Sequence, residues 1–464
     1  MCNPTLNTSK EAKNEIKGRS PLNSSEIELQ QQNLRKTIFY GSLSSALLIG
    51  GFSICMPYSQ ARRDELNCDT LCQGSMTSVR SFLNLLGSVI MGRISDGLGS
   101  RKPCLYIGAL ASFLDVSIMG STFSIRGLWW SMVFGSLFQK NFSILKAMIA
   151  DYYEKIEALA GDNEALKLYT SSASRASSVG KIGMSFGLSF MIGPLVGGYV
   201  VKSFDQAIFV GLFFVFLSML CIYSIPSTTT KIAKSPSPSH GFMKLLKLKA
   251  AKSPAAIFFM LIRTAMGLAY HIFNTVWTVS LKTRFQFGPA DYGRFFSFIG
   301  LGFALSQGFF AGRLVQFFGP KRRVLLIQFC CIALGVGRWF AFQTNSLSLV
   351  YILFALIITA LGVMNTIITA DTSKIASSDE IGGLLGLLDA VQSGAGMLGP
   401  IIGGILGQVT WGKSENQEAN TFAPMVAVVG LYGFIFCLVL YGYDKYVVEE
   451  EQRREIHLDK KKTQ

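Results

Sequence analysis

Two stretches of this chain repeat one another. Residues 180–198 read GKIGMSFGLSFMIGPLVGG, and residues 386–404 read GLLDAVQSGAGMLGPIIGG. The first glycine, the Gly-Pro pair and the closing Gly-Gly pair lie 206 residues apart in the two copies. In the first copy they are Gly180, Gly193, Pro194, Gly197 and Gly198. Small residues let two apolar helices approach closely, so the repeat predicts two similar helical halves.

A second set of matches lies 220 residues apart. Gly92 corresponds to Gly312, and Asp151 corresponds to Asp371. The spacing differs from the first set because the loop that follows the fourth apolar run is 14 residues longer in the first half. The repeat therefore covers most of each half, as expected for a transporter that alternates between two states.

Apolar runs dominate the composition. Of 464 residues, 50% are hydrophobic and 15% are charged, against about 25% charged in an average soluble protein. A membrane-crossing helix needs about 20 mostly apolar residues. The predicted spans are 37–57, 71–92, 104–121, 127–150, 180–200, 205–225, 255–280, 290–312, 323–342, 347–370, 381–408 and 422–442. We therefore predict an all-α membrane protein with twelve transmembrane helices in two six-helix bundles.

The basic residues indicate the orientation. The net charge is +15, and lysines and arginines collect on the cytoplasmic loops of membrane proteins. Residues 226–254 hold six lysines and no acid, and residues 319–323 read GPKRR. These loops lie on the side that also holds both termini, so both termini are predicted to be cytosolic. The alternative reading of the charge, nucleic-acid binding, is disfavoured.

These observations divide the chain into five segments. We predict a disordered cytosolic tail at 1–36, a six-helix bundle at 37–225 and a basic linker at 226–254. A second bundle follows at 255–442, and a cytosolic tail at 443–464. Of the nine cysteines, Cys68 and Cys72 lie in a loop on the non-cytoplasmic side, where a disulfide is compatible with an oxidising compartment. The sequence leaves that disulfide open.

The loop after the second span carries a recognisable motif. Residues 92–102 read GRISDGLGSRK, which resembles the signature loop of the major facilitator superfamily. The residues of this gating motif are Gly92, Arg93, Asp96, Gly99, Arg101 and Lys102, together with Asp151. The Gly-Pro-x-x-Gly-Gly helix resembles the motif of the antiporter branches. Residues 290–308, 365–371 and 383–404 resemble the tetracycline-transporter-like and organic-cation-transporter-like branch.

The resemblance implies a function. It implies a monomeric carrier of small organic solutes or drugs that exchanges them for protons. The sequence carries no nucleotide-binding loop, metal-ligand cluster or nucleophile motif on a soluble domain, so we predict no cofactor and no enzymatic activity. The resemblance also implies that Asp96 faces the start of the eleventh span, and that Arg93, Arg101 or Lys102 pairs with Asp151. These contacts would latch the cytoplasmic side. In the second half Gln316 replaces the acid of the motif, which predicts a weaker latch there.

Ionisable residues inside spans are candidates for solute and proton binding, because they cost free energy in a membrane. The candidates are Arg80, Asp115, Lys140, Arg263, His271, Asn365 and Asp389. The resemblance implies that spans 1, 4, 7 and 10 line the solute pathway, which favours Lys140, Arg263, His271 and Asn365. Asp115 is alternatively a buried partner for a cation, and Asp389 a structural cap. Lys146 and Arg338 lie near span ends and are expected to snorkel.

The charge of the solute stays open at this point. Cations outnumber acids in mid-span, which favours an anionic or zwitterionic solute, whereas the resemblance implies cationic drugs. The first span carries no acid and the first half of the fourth no arginine, unlike many proton-coupled drug exporters. An alternative function is a membrane sensor or scaffold that acts through its tails and linker. Plasma membrane, vacuole or lysosome, and endoplasmic reticulum all remain candidate locations.

Overall fold

The computed structural model describes residues 21–98, 100–160, 166, 169–170, 172–227, 252–319, 322–375, 381–408 and 421–448. Its helices are α1 Pro21–Glu65, α2 Thr70–Gly97, α3 Lys102–Ser121, α4a Ile125–Phe138, α4b Asn141–Ala160, α5 Ser172–Tyr199, α6 Phe204–Tyr223, α7 Pro254–Phe285, α8a Pro289–Leu305, α8b Ala311–Phe318, α9 Arg323–Gln343, α10 Leu347–Ile375, α11 Ile381–Leu406 and α12 Phe422–Tyr443. Most of the predicted linker and C-terminal tail lies outside the described residues.

The predicted all-α membrane fold is confirmed. Each of the twelve predicted spans coincides with a helix or a helix pair of the described chain. Eight of the described helices are long and apolar enough to cross a membrane. Two predicted spans are divided: α4 is broken between α4a and α4b, and α8 contains a π-helical turn at Ser306–Phe310.

The first helix begins earlier than predicted. We predicted disorder up to residue 36, but α1 starts at Pro21. Ile27 and Leu34 are each only 1% exposed. They lie seven residues apart, which places both on one face of a helix. This buried face accounts for the order of a stretch whose other residues are mostly polar.

The described residues divide into two compact units. The first takes residues from Met1–Tyr58 and Leu86–Ser235, and the second from Ser59–Leu85 and Pro236–Gln464. In the first unit α3 packs against α4a, α4b and α6. In the second, α7 packs against α11 and α12, and α9 against α10 and α12. The end of α1 and the start of α2 thus belong to the second unit.

The repeated glycine helices make equivalent contacts in the two units. In the first unit, Gly197 of α5 faces the backbone of Ile54 on α1. In the second unit, Gly403 of α11 faces the backbone of Ile272 on α7. A Cβ atom at Gly403 would lie 2.9 Å from the Ile272 Cα atom. The small residues therefore permit close contact between helices in both halves.

Candidate functional site

Three of the predicted site residues meet in the second unit. Arg263 on α7 donates a hydrogen bond from Nη1 to the Asn365 side-chain oxygen on α10. Asp389 on α11 lies within electrostatic range of Arg263. The Arg263 Nε atom is buried and has no hydrogen-bond partner among the described residues. The cluster thus presents one unused donor on a guanidinium that is already held in place from a second helix.

His271 lies apart from this cluster, although it is on the same helix. Eight residues separate it from Arg263, which is about 12 Å along a helix axis. Its ring packs against α11: the Nε2 atom lies 3.2 Å from the point where a Cβ of Gly396 would be, and the Ser81 hydroxyl lies 3.4 Å from the same point. His271 therefore packs against the glycine-rich part of α11.

Lys140 lies at a break in the fourth span. We predicted one continuous helix over 127–150, which is wrong, because α4a ends at Phe138 and α4b starts at Asn141. The Lys140 ammonium donates to the Ser136 carbonyl at 2.7 Å and so occupies an acceptor at the end of α4a. The Asn141 amide donates to the Leu105 carbonyl of α3 at 3.0 Å, which anchors the start of α4b. Broken helices often form ion and solute sites in transporters.

Asp115 and Arg80, two further candidates, belong to different units. Asp115 is 8% exposed on α3, with its carboxylate against Gly135 of α4a and within electrostatic range of Cys55. Arg80 is half-buried on the part of α2 that belongs to the second unit.

The gating motif forms an ion pair in the first unit. Arg101 Nε lies 2.5 Å from Asp151 Oδ2, and Arg101 Nη2 lies 3.2 Å from Oδ1. Ser95 accepts a third bond from the same guanidinium at 3.1 Å. Lys102 donates instead to the Tyr223 carbonyl at 2.8 Å. Gly92 and Arg93 are exposed at the end of α2, whereas Gly99 and the Asp96 side chain lie outside the described parts.

The second unit contains a corresponding pair that the sequence did not predict. Asp371, at the cytoplasmic end of α10 in the predicted topology, is 1% exposed. Arg323 binds its Oδ1 atom at 2.5 Å, and the Tyr443 hydroxyl donates to its Oδ2 atom at 2.6 Å. The repeat pointed to a basic residue at 321, which aligns with Arg101. The actual partner, Arg323, lies two residues later, at the start of α9.

The observed position of Arg338 differs from the predicted one. We expected it to snorkel, but it is only 1% exposed. Its Nη1 atom donates to the Tyr432 hydroxyl at 2.5 Å, and the guanidinium lies over the rings of Phe273 and Tyr432, at 5.0 and 5.2 Å from their centroids. Aromatic faces attract cations, and these rings hold the charge inside the bundle.

The π-helical turn of α8 was also missed. Ser306 is fully buried, and its hydroxyl donates to the Thr359 carbonyl of α10 at 3.1 Å. Its side chain fits against Gly362, one turn before Asn365. The polar Ser-Gln-Gly triplet at 306–308, inside an otherwise apolar span, was the available signal. Such turns are frequent at functional sites.

Comparisons with known proteins agree with this architecture. The family model described as Major Facilitator Superfamily matches residues 39–400 and, in an overlapping match, 259–463. The human protein solute carrier family 67 member A1 is 25% identical over 367 residues, covering 76% of this chain and 81% of its own length. Tetracycline resistance protein, class C, of Escherichia coli is 21% identical, covering 84% and 92%. The predicted resemblance to tetracycline transporters is thereby confirmed.

Solved structures show the same fold. The crystal structure of the human organic anion transporter MFSD10 (TETRAN) matches with a TM-score of 0.59 and 19% identity, over 88% of this chain and 99% of that one. The crystal structure of the nucleoside transporter NupG matches with a TM-score of 0.60 and 14% identity, over 88% and 97%.

Proposed function

This chain belongs to the Major Facilitator Superfamily, and we propose that it carries small organic anions or zwitterions across a membrane by alternating access, coupled to protons. The observation that carries the proposal is the cluster of Arg263, Asn365 and Asp389 on three helices of one unit. A charged group inside a membrane protein costs several kcal/mol and is usually kept for function.

The charge of the solute follows from the donors. Arg263 keeps a buried Nε–H without a partner among the described residues, and a guanidinium binds planar anions such as carboxylates through two parallel bonds. Within the first unit, the Lys140 ammonium at the broken span is a further cationic group inside a predicted span. The human organic anion transporter shows that this fold accommodates anionic solutes. The proposal sets aside the cationic drugs that the resemblance implied.

Asp389 supplies the proton coupling in this proposal. Its carboxylate lies within electrostatic range of the Arg263 guanidinium and balances that charge when no solute is bound. A bound solute carboxylate takes over that role, and Asp389 then accepts a proton, since two anions beside one cation repel one another. When the solute leaves, Asp389 releases the proton, and its carboxylate again balances the charge of Arg263. One proton is thereby bound for each anion.

The proposal also covers the orientation, the moving parts and the oligomeric state of the carrier. We propose that both termini face the cytosol, that the two sequence halves of six helices are the moving bodies, and that the carrier acts as a monomer. The ion pairs Arg101–Asp151 and Arg323–Asp371 serve as latches at the cytoplasmic side. His271 and Arg80 in the second unit and Asp115 in the first remain candidates for solute and proton binding.

Purified protein in liposomes tests the proposal. A pH gradient is imposed, a pH-sensitive dye is enclosed, and anionic, zwitterionic and cationic solutes are added one at a time. We expect proton flux with anionic or zwitterionic solutes and its loss in Arg263→Gln. Flux with cationic solutes alone, or with anions in Arg263→Gln at the normal rate, would refute the proposed site.

A further inference from the structure

A hydrogen-bonded cluster at the end of α1 is separate from the residues discussed above. Asp64 accepts a bond from the Tyr292 hydroxyl at Oδ2, 2.7 Å away. At Oδ1 it accepts from the amide of Gln60 at 3.2 Å and from that of Gln73 at 3.4 Å. Tyr292 is fully buried, and Gln60 and Gln73 are 5% and 4% exposed. We call these four residues the outer latch.

The outer latch joins segments that are distant in sequence. Asp64 and Gln60 lie on α1, Gln73 on α2 and Tyr292 on α8a, and all four belong to the second unit. Further bonds beside the latch tie α2 and the loop before it to α11 and to the residues just after α11. The Asp69 carboxylate accepts from the Gln408 amide at 2.7 Å, and the Ser78 hydroxyl accepts from a backbone N–H of α11 at 3.1 Å.

A disulfide braces the same end of α2. Cys68 and Cys72 are joined, with Cα atoms 5.3 Å apart, which answers the question that the sequence left open. The Gln73 amide that reaches Asp64 also donates to the Cys68 carbonyl at 3.2 Å. Disulfides persist in oxidising compartments, so the brace agrees with the predicted non-cytoplasmic position of this loop.

Burial raises the pKa of the Asp64 carboxyl above its ordinary value, whereas its hydrogen bonds and the nearby cations act in the opposite direction and favour the ionised form. Tyr292 and the two glutamines donate to it, and Lys282 on α7 and Arg63 on its own helix lie within electrostatic range. Asp291, the residue before Tyr292 on α8a, lies within electrostatic range of the Tyr292 hydroxyl. An ionised carboxylate only accepts hydrogen bonds, whereas a protonated one has a donor of its own and loses acceptor capacity. Protonation therefore removes contacts that only the anion can make.

We propose that Asp64 is a proton-binding site that keeps the ends of α1 and α2 attached to α8a when ionised and releases them when protonated. The site lies apart from the Arg263 cluster, and it is a second point at which protons enter the cycle. Acidification of the non-cytoplasmic side would then open that side of the carrier. The proposal rests on the proposed function only in assuming that the carrier alternates between two states.

Hydrogen–deuterium exchange of the full-length protein in nanodiscs tests the proposal without any transported solute, so it can fail independently of the proposed function. Exchange is followed in peptides covering 58–80, 286–296 and 400–408, at pH 7.5 and pH 5.5, with correction for the intrinsic pH dependence. Bonds to charged groups are about twice as strong as neutral ones. We therefore expect about tenfold faster exchange at the lower pH in the wild type.

Variants separate Asp64 from other groups. Asp64→Asn is expected to exchange fast at both pH values, and Tyr292→Phe to exchange faster than the wild type at pH 7.5 while remaining sensitive to pH. Glu65→Gln is the matched control, because Glu65 is the next residue, is exposed and pairs with Arg62. It should behave as the wild type. If Asp64→Asn fails to fold, the pH dependence of exchange in the wild type and in Tyr292→Phe tests the proposal instead.

Two results would overturn the proposal. One is exchange in these peptides that is independent of pH in the wild type. The other is a pH response of normal size in folded Asp64→Asn, which would assign the response to another group.

Discussion

Arg101 and Asp151 form a bidentate pair in which the two nitrogen–oxygen distances are 2.5 and 3.2 Å. Asp371 is held in the second unit by Arg323 and by the Tyr443 hydroxyl. The two acids correspond in the sequence repeat, but their surroundings differ: the side chain of Asp151 is 16% exposed and that of Asp371 is 1% exposed. The second pair is therefore the more deeply desolvated one.

The difference in burial predicts a difference in stability. Asp371→Asn should lower the melting temperature of the purified protein more than Asp151→Asn does, because the attraction within an ion pair is stronger where the acid is less solvated, and breaking a buried pair costs about 3 kcal/mol or more. We expect the gap to be several degrees. Thermal unfolding in detergent measures it, and equal losses in the two variants would contradict the role of burial.

The glycine contacts of α5 predict a second effect. Gly197 faces the backbone of Ile54 on α1, whereas nothing lies within 4 Å of a Cβ added at Gly187. Gly197→Leu should therefore separate the two helices and sharply reduce the yield of folded protein, and Gly187→Leu should not. Size-exclusion chromatography of both variants, expressed in parallel, measures the folded fraction. Similar yields would show that the close approach is dispensable.

Arg338 predicts a coupling that a double-mutant cycle can detect. Tyr432→Phe removes the hydroxyl that Arg338 binds and leaves a buried donor unsatisfied, at a cost of about 1–3 kcal/mol. In an Arg338→Met background the same change should cost almost nothing, because the donor is gone. Melting temperatures of the four proteins test this. An equal cost in both backgrounds would show that the hydrogen bond does not stabilise the bundle.

Lys140 predicts an effect on affinity. Its ammonium lies at the break of the fourth span, and we expect Lys140→Gln to weaken binding of an anionic solute about tenfold or more. Lys146 is exposed, over the ring of Phe142 at 4.2 Å, and Lys146→Gln should have a small effect. Isothermal titration with the solute chosen in the flux panel measures both. A larger loss for Lys146→Gln would reverse the assignment.

The sequence predicted the fold well because a membrane restricts the choices. Long apolar runs in lipid must be helical, and the repeats around Gly193 and Gly399 fixed the two halves. The break before Asn141 was not predictable from hydropathy, since it depends on a side-chain bond to the Leu105 carbonyl of another helix. The order of residues 21–36 was missed for a similar reason, because Ile27 and Leu34 are two apolar residues in a polar stretch.

The candidate site was predicted in part. Arg263, Asn365 and Asp389 were chosen as mid-span polar residues, and the structure brings them together. Arg338 was misjudged because its depth was estimated from its distance to the end of the span, whereas the aromatic rings of α7 and α12 decide where its charge lies. Asp64 was passed over because it follows the apolar run of α1, and its partner Tyr292 is distant in sequence.

The most direct test of the central claim is counterflow of a radiolabelled anionic solute into liposomes loaded with the unlabelled solute, which needs no imposed pH gradient. The wild type should exchange internal for external solute, and Arg263→Gln should lose at least about nine-tenths of the rate, because the guanidinium binds the anion. Arg126→Gln, which changes an exposed arginine at the start of α4a, should keep the wild-type rate. Counterflow at the wild-type rate in folded Arg263→Gln would contradict the account.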